Sequence, residues 1–137
     1  MGSGRPQQAE GPSVLLAEDE AVLSNIVRRN LEARQYRVTA VETAEEALAA
    51  ISAEAPSVLL LDINLPDRSG WDVLRELRSQ GRRVPTVVVT SLRCSPARLA
   101  EFHPDVYLPK PFPLTALLSA VERLSGRSAP VSAATGG

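Results

Sequence analysis

The chain has 137 residues, of which 44% are hydrophobic and 23% are charged, and its formal net charge is −1. This composition suits one globular domain with its own core, and it excludes the strongly basic surface expected for direct binding to nucleic acid or an anionic membrane. A single cysteine excludes a disulfide framework, and because no apolar run is long enough for a membrane span or a secretory leader, we expect a cytoplasmic protein.

The two ends of the chain lack apolar periodicity. Residues 1–12 are predicted to be a disordered N-terminal segment, and residues 126–137, rich in Ser, Ala and Gly, a disordered tail or linker. Residues 13–125 are predicted to form one domain in which strands and helices alternate.

Five short apolar runs of strand length alternate with amphipathic helical patterns. Three of the runs are continuous rather than alternating, which is typical of strands buried on both faces of a parallel sheet. The predicted strands are residues 13–17, 36–41, 57–61, 86–89 and 106–108. With right-handed crossovers, this order predicts an α/β fold with a five-stranded parallel sheet and helices on both faces.

Two helix starts are marked by capping patterns. Thr43 followed by Glu46 predicts a capping box at the second helix. Ser95 followed by Pro96 predicts an N-cap and first turn for the fourth helix.

The reactive side chains are expected at the carboxyl ends of the strands, where open α/β sheets bind their ligands. They are Glu18, Asp19 and Glu20 after the first strand, Asp62 after the third, Thr90 and Ser91 after the fourth, and Lys110 after the fifth. Lys110 is the only lysine among 15 basic residues, and a compact ammonium suits contact with a phosphate.

Carboxylates at neighbouring strand ends repel one another unless a cation joins them. Oxygen ligands at an open edge favour Mg²⁺. Asp62 can then act as metal ligand and as nucleophile toward a phosphoryl group, while Lys110 offsets the developing charge and Thr90 donates a hydrogen bond. Glu20 and Asp67 are interpreted instead as helix caps or solvated loop charges.

Four motifs in this order resemble those of the CheY-like response-regulator receiver domains of two-component signalling. The acidic cluster is Glu18-Asp19-Glu20, the phosphoacceptor loop begins at Asp62-Ile-Asn-Leu-Pro66 and continues to Gly70, and residues 87–91 and 107–112 complete the set. The resemblance covers residues 13–125. It implies a flavodoxin-like, doubly wound (βα)5 fold with strand order 2-1-3-4-5.

The resemblance also implies a metal site and a phosphoacceptor. Asp62 would be phosphorylated by a histidine kinase or a histidine phosphotransfer protein. Asp19, Asp62 and the backbone carbonyl of Asn64 would hold Mg²⁺, and Glu18 would act directly or through a bound water. The domain would be a phosphoacceptor that assists its own phosphorylation and dephosphorylation, rather than an enzyme.

Three further residues receive roles from the resemblance. Thr90 and Lys110 would grip the phosphoryl group, and Tyr107 would turn inward as a rotamer switch, changing the surface offered to a downstream protein target. The alternative for Tyr107 is a half-buried strand aromatic. The Lys110–Pro111 bond is expected to be cis.

The sequence departs from the family pattern at several positions. Glu18 stands where the family usually has Asp, and Ser91 replaces a common small apolar residue. Residues 101–105 lack the usual Gly-Ala stretch, so we expect the fourth helix to be short or displaced.

Three other functions share part of this pattern. A flavodoxin would need a phosphate loop where Glu18-Asp19-Glu20 repels phosphate. A haloacid-dehalogenase-type phosphatase would need a second Asp at the position of Asn64. A receiver-like protein-interaction module without phosphate turnover stays open as the alternative.

Overall fold

A computed structural model of the chain describes residues 11–127. The predicted disordered ends lie outside this range except for Gly11, Pro12, Gly126 and Arg127. Gly11 donates its N–H to the Gln35 carbonyl at 3.1 Å, and the Pro12 carbonyl accepts the Arg37 N–H at 3.0 Å. Residues 11 and 12 are therefore hydrogen-bonded to residues 35 and 37 of the described domain.

Five strands and five helices alternate along these residues. In chain order they are β1 (Ser13–Ala17), α1 (Ala21–Ala33), β2 (Arg37–Val41), α2 (Ala44–Ala53), β3 (Val58–Asp62), α3 (Gly70–Ser79), β4 (Thr86–Thr90), α4 (Pro96–Phe102), β5 (Val106–Pro109) and α5 (Leu114–Leu124). All strand pairs are parallel and the order is β2-β1-β3-β4-β5, which confirms the predicted fold.

The central strands β1, β3 and β4 are buried on both faces because their residues point alternately to two sides of the sheet, each covered by helices. One cluster joins Val14, Leu16 and Leu60 to α1 and α5, and the other joins Leu15 and Leu59 to α2 and α3. Every residue of β3 and β4 is buried. Burial of each Leu or Val side chain stabilises the folded state by about 1.5–3 kcal/mol. The central strands therefore form a stable base for the residues at their carboxyl ends.

Helix α2 begins largely as predicted. The Thr43 hydroxyl accepts the Glu46 N–H at 3.0 Å, which is the expected cap. The Glu46 carboxylate accepts the N–H of Glu42, at 2.9 Å, rather than that of Thr43. The reciprocal half of the capping box is therefore displaced by one residue.

Helix α4 is short, as expected, with 7 residues. The Ser95 hydroxyl accepts the Arg98 N–H at its start, and His103, with φ 49°, ends it before Pro104. Phe102 anchors the helix to α3 by stacking on Trp71, with ring centroids 5.0 Å apart. No helix within residues 11–127 is long and apolar enough to cross a membrane.

Candidate functional site

The predicted reactive residues meet at the carboxyl edge of the sheet. Glu18 directly follows β1, Asp62 is the last residue of β3, and Thr90 is the last residue of β4. Strands β1 and β3 are neighbours, so the carboxylates at their ends lie side by side. Lys110 follows β5 and extends across the end of β4 toward β3, after a backbone hydrogen bond from its N–H to the Thr90 carbonyl at 2.9 Å.

The Lys110 ammonium pairs with three carboxylates. Its Nζ lies 2.9 Å from Oε1 of Glu18, 3.0 Å from Oδ2 of Asp62 and 3.6 Å from Oε2 of Glu20. The Glu18 and Asp62 side chains are only 1% and 4% exposed, whereas Glu20 is 61% exposed. One ammonium therefore faces two buried carboxylates, so a further positive charge at this site would be electrostatically favourable.

Burial and charge move two pKa values in this cluster. Burial raises the pKa of Glu18 to about 7, against the opposing effect of hydrogen bonds from Lys110 and the Glu20 N–H. Burial works against the charged form of Lys110 as well, but hydrogen bonds to Glu18 and Asp62 outweigh it, and the pKa of Lys110 is raised. At neutral pH, the ammonium is charged and the Glu18 carboxyl is partly protonated.

Three carboxylates are close enough to share a cation. Glu18, Asp19 and Asp62 each offer one oxygen, and these oxygens lie within 4.8 Å of one another. Oε1 of Glu18 is buried and lies 2.9 Å from the Lys110 ammonium, its charged neighbour in the cluster. An all-oxygen set of this kind matches what Mg²⁺ prefers.

The Asp62 carboxylate is held at both oxygens. Oδ1 accepts the Asn64 N–H at 2.9 Å, and Oδ2 faces Lys110. Directly beneath, Gly70 donates its N–H to the Ile63 carbonyl at 2.8 Å. A Cβ on Gly70 would lie 2.6 Å from the Asp62 carbonyl oxygen, so the close approach of α3 to the end of β3 requires glycine here.

Thr90 and Tyr107 occupy different surroundings. Thr90 is fully buried and its Oγ1 accepts the Leu92 N–H at 3.1 Å, which leaves the hydroxyl proton free to be donated. Tyr107 is half-buried and packs against the apolar cluster of Ile63, Trp71, Val88 and Phe102. Burial raises the pKa of Tyr107, as does a hydrogen bond with Cys94. The Lys110–Pro111 bond is cis, as expected.

Glu20 and Asp67, which the sequence analysis interprets as helix caps or solvated loop charges, both lie at a helix N-terminus, with partners that the sequence does not indicate. Glu20 occupies the N-cap position of α1, and its exposed side chain makes the longest of the three ion pairs with Lys110. Asp67 caps a distant helix: its oxygens accept the N–H groups of Ala44 and Glu45 at 2.8 and 3.0 Å. No local pattern connects Asp67 to α2, because the contact spans 22 residues or more of sequence.

The sequence matches a family model and several curated proteins. A family model described as "response regulator receiver domain" matches residues 14–122. The response regulator MprA of Mycobacterium bovis is 35% identical over 123 residues, which are 88% of this chain and 54% of that protein. The chain thus spans about half the length of the curated relatives it matches.

Solved receiver domains share the fold. The receiver domain of a sensor histidine kinase from Pseudomonas aeruginosa PAO1, with a magnesium ion coordinated in its active-site cleft, is 30% identical with a TM-score of 0.75, covering 85% of this chain and 98% of that one. The response regulator TrrA from Thermotoga maritima, in complex with Mg²⁺ and BeF, is 25% identical with a TM-score of 0.73, covering 82% and 98%. By its strand order, its edge of carboxylates and lysine, and its match over residues 14–122, the chain belongs to the response-regulator receiver-domain family.

Proposed function

We propose that this receiver accepts a phosphoryl group on Asp62 in a Mg²⁺-dependent reaction, as one step of a two-component phosphorelay. The observation that carries the proposal is the restraint on Asp62: a buried carboxylate held by Lys110 at 3.0 Å and by the Asn64 N–H at 2.9 Å, beside two more carboxylates. The resemblance to receivers that contain Mg²⁺ or BeF supports it.

The chain's own residues divide the chemistry among them. An Asp62 oxygen attacks phosphorus, forming an acyl phosphate, while the bond from phosphorus to the donor's nitrogen or oxygen breaks and the donor leaves with the electron pair. Glu18, Asp19, Asp62 and the Asn64 carbonyl would hold Mg²⁺, which would supply positive charge to offset that of the carboxylates and of the phosphoryl group. Lys110, whose ammonium lies 3.0 Å from Oδ2 of Asp62, would also stabilise the developing negative charge.

Thr90 supports the phosphorylated form. Its hydroxyl accepts the Leu92 N–H and retains a proton that it can donate to a phosphoryl oxygen after a small inward movement. This movement would open space beside β4, which Tyr107 would fill by turning inward. Phosphorylation would in this way change the surface presented to a downstream protein target.

The proposed partners follow from this chemistry. The phosphoryl group would come from a histidine kinase or a histidine phosphotransfer protein in the cytoplasm. The domain is a phosphoacceptor whose own residues assist its phosphorylation and dephosphorylation, and it is not proposed as an enzyme acting on a separate substrate.

The test is labelling by a small acyl phosphate, read as intact mass. The wild-type domain with acetyl phosphate and Mg²⁺ should gain one phosphoryl group that hydroxylamine removes, and a chelator should prevent the gain. Asp62→Asn should gain none. Asp72→Asn is the matched control, because Asp72 is half-buried and pairs with Arg75 on α3, and it should be labelled like wild type.

Two results would contradict the proposal. Labelling of Asp62→Asn at the wild-type rate would place the phosphoacceptor elsewhere. A wild-type domain that takes no label, even with saturating Mg²⁺, would favour the interaction module without phosphate turnover.

A further inference from the structure

The segment between β3 and α3 is tied to helix α2 by the Asp67 side chain. The Asp67 carboxylate accepts the N–H groups of Ala44 at 2.8 Å and of Glu45 at 3.0 Å. These are the first two residues of α2, whose N–H groups have no partner within the helix. The N–H of the third residue, Glu46, is already taken by the Thr43 hydroxyl. The two caps therefore have separate roles at one helix end.

The same segment shapes the surroundings of Asp62. Its inner part is closed by hydrogen bonds from Leu65 and Gly70 to the Ile63 carbonyl, at 3.1 and 2.8 Å. Asn64 lies in this part, and its N–H holds Oδ1 of Asp62. Further along the segment, the Asp67 side chain is hydrogen-bonded to the start of α2. Only two residues separate Asn64 from Asp67, so a displacement of Asp67 would also displace the backbone of Asn64.

Electrostatics also favour the contact between the Asp67 carboxylate and the start of α2. A carboxylate at a helix N-terminus interacts with the positive end of the helix dipole as well as with the amide protons. The hydrogen bond from the Ala44 N–H lowers the pKa of Asp67, and the bond from the Glu45 N–H acts in the same direction, so the carboxylate stays charged across the physiological range.

We infer that Asp67 is a positioning residue for the metal site: by anchoring the segment to α2, it holds the Asn64 carbonyl and the Asp62 carboxylate in the orientation that binds Mg²⁺. This inference rests on the proposed function, since it concerns the same Mg²⁺ site. It assigns to Asp67 a role in the site without any contact with the ion or the phosphoryl group.

The experiment compares Mg²⁺ affinity in three variants by NMR titration. Asp67→Ala removes both hydrogen bonds and should lower Mg²⁺ affinity roughly tenfold, the effect typical of losing a group that orients a metal ligand. Asp67→Asn should fall between Asp67→Ala and wild type, because one amide oxygen replaces two carboxylate oxygens. Thr43→Ala is the matched control, since it removes the other cap of the same helix end without touching the segment, and it should bind Mg²⁺ like wild type.

Two further readouts separate positioning from general stability. Hydrogen exchange at the Ala44 and Glu45 amides should accelerate in Asp67→Ala. This measurement reports the loss of the two hydrogen bonds to Asp67 without any ligand present. Labelling by acetyl phosphate should slow at limiting Mg²⁺ and recover at saturating Mg²⁺, because Asp62 and Lys110 are unchanged.

The outcomes are distinct. Equal Mg²⁺ affinity in Asp67→Ala and wild type, with accelerated exchange at Ala44, would overturn the inference while leaving the proposed function intact. Equal weakening by Thr43→Ala would overturn it as well, since the effect would then follow helix stability. A wild-type domain that binds no Mg²⁺ would refute the proposed function and this inference with it. If Asp67→Ala does not fold, Asp67→Asn decides.

Discussion

Protons and Mg²⁺ should compete for the buried carboxyl of Glu18. Its side chain is 1% exposed, and burial raises its pKa to about 7. A protonated carboxyl does not bind Mg²⁺, so affinity should be greatest above pH 7 and fall as the pH drops through this value. The ionised fraction of such a group is about 91% at pH 8 and about 9% at pH 6, so Mg²⁺ affinity should fall about tenfold between them.

The assay is an NMR titration of the domain with Mg²⁺ at pH 6, 7 and 8 and constant ionic strength. The backbone amides of Asp19 and Asn64 are suitable probes because they adjoin the carboxylate cluster. Glu18→Gln should bind Mg²⁺ more weakly than wild type at pH 8, with an affinity that barely changes down to pH 6. This variant separates Glu18 from every other group that titrates in the range.

The raised pKa has a second consequence, for stability. Between the unfolded value of 4.5 and about 7, the folded domain binds a proton at Glu18 that the unfolded chain has released. The free energy of unfolding of the metal-free domain should therefore decrease as pH rises through this window, by at most about 3 kcal/mol. Urea unfolding in the presence of a chelator measures this, and Glu18→Gln should remove the contribution.

A flat Mg²⁺ affinity from pH 6 to pH 8 in wild type would refute the reasoning, because it would mean that Glu18 is ionised throughout or does not interact with the ion. A tenfold change that persists in Glu18→Gln would assign the titration to another group.

Three further predictions concern single positions around the edge. Asp19→Asn should weaken Mg²⁺ binding more than Glu18→Gln does at pH 8, and an affinity equal to wild type in the same titration would show that the ligand set is wrong. Gly70→Ala should lower the free energy of unfolding by about 1–3 kcal/mol, because the added methyl group overlaps the Asp62 carbonyl; an unchanged urea midpoint would contradict the tight approach of α3. Beryllofluoride on Asp62 should shift the NMR signals of Thr90, Tyr107 and residues 94–102, whereas changes confined to residues touching the ligand would show that phosphorylation is not relayed.

The sheet could be predicted from sequence because its signal is local. Continuous apolar runs mark β1, β3 and β4. Because these strands are parallel, the residues at their carboxyl ends lie at the same edge of the sheet. The boundary errors are small and have physical causes. The apolar pattern places Tyr36 in the second strand, but its N–H donates to the Leu31 carbonyl near the end of α1, and its ring is buried in the core.

The parts that could not be predicted depend on distant contacts. That the Glu18 side chain would be nearly inaccessible to solvent is not visible in the sequence, because no local pattern distinguishes a buried from an exposed carboxylate in the run Glu18-Asp19-Glu20. The cap that Asp67 places on α2 joins positions 67 and 44, which no helical or strand period relates. The packing of Tyr107 against the cluster that contains Trp71 and Phe102 depends on how the short helix α4 lies against α3. In each case, tertiary packing decides the environment of a residue whose type alone suggested only its possible chemistry.

Chemical mapping of the phosphorylated residue tests most directly whether the phosphoryl group is carried by Asp62. The domain is phosphorylated with acetyl phosphate and Mg²⁺, and borohydride then reduces the acyl phosphate of an aspartate to homoserine, which tandem mass spectrometry locates in the peptide sequence. We expect homoserine at position 62 in wild type and none after treatment without Mg²⁺. Homoserine at Asp19 or at any other aspartate, with Asp62 intact, would contradict it.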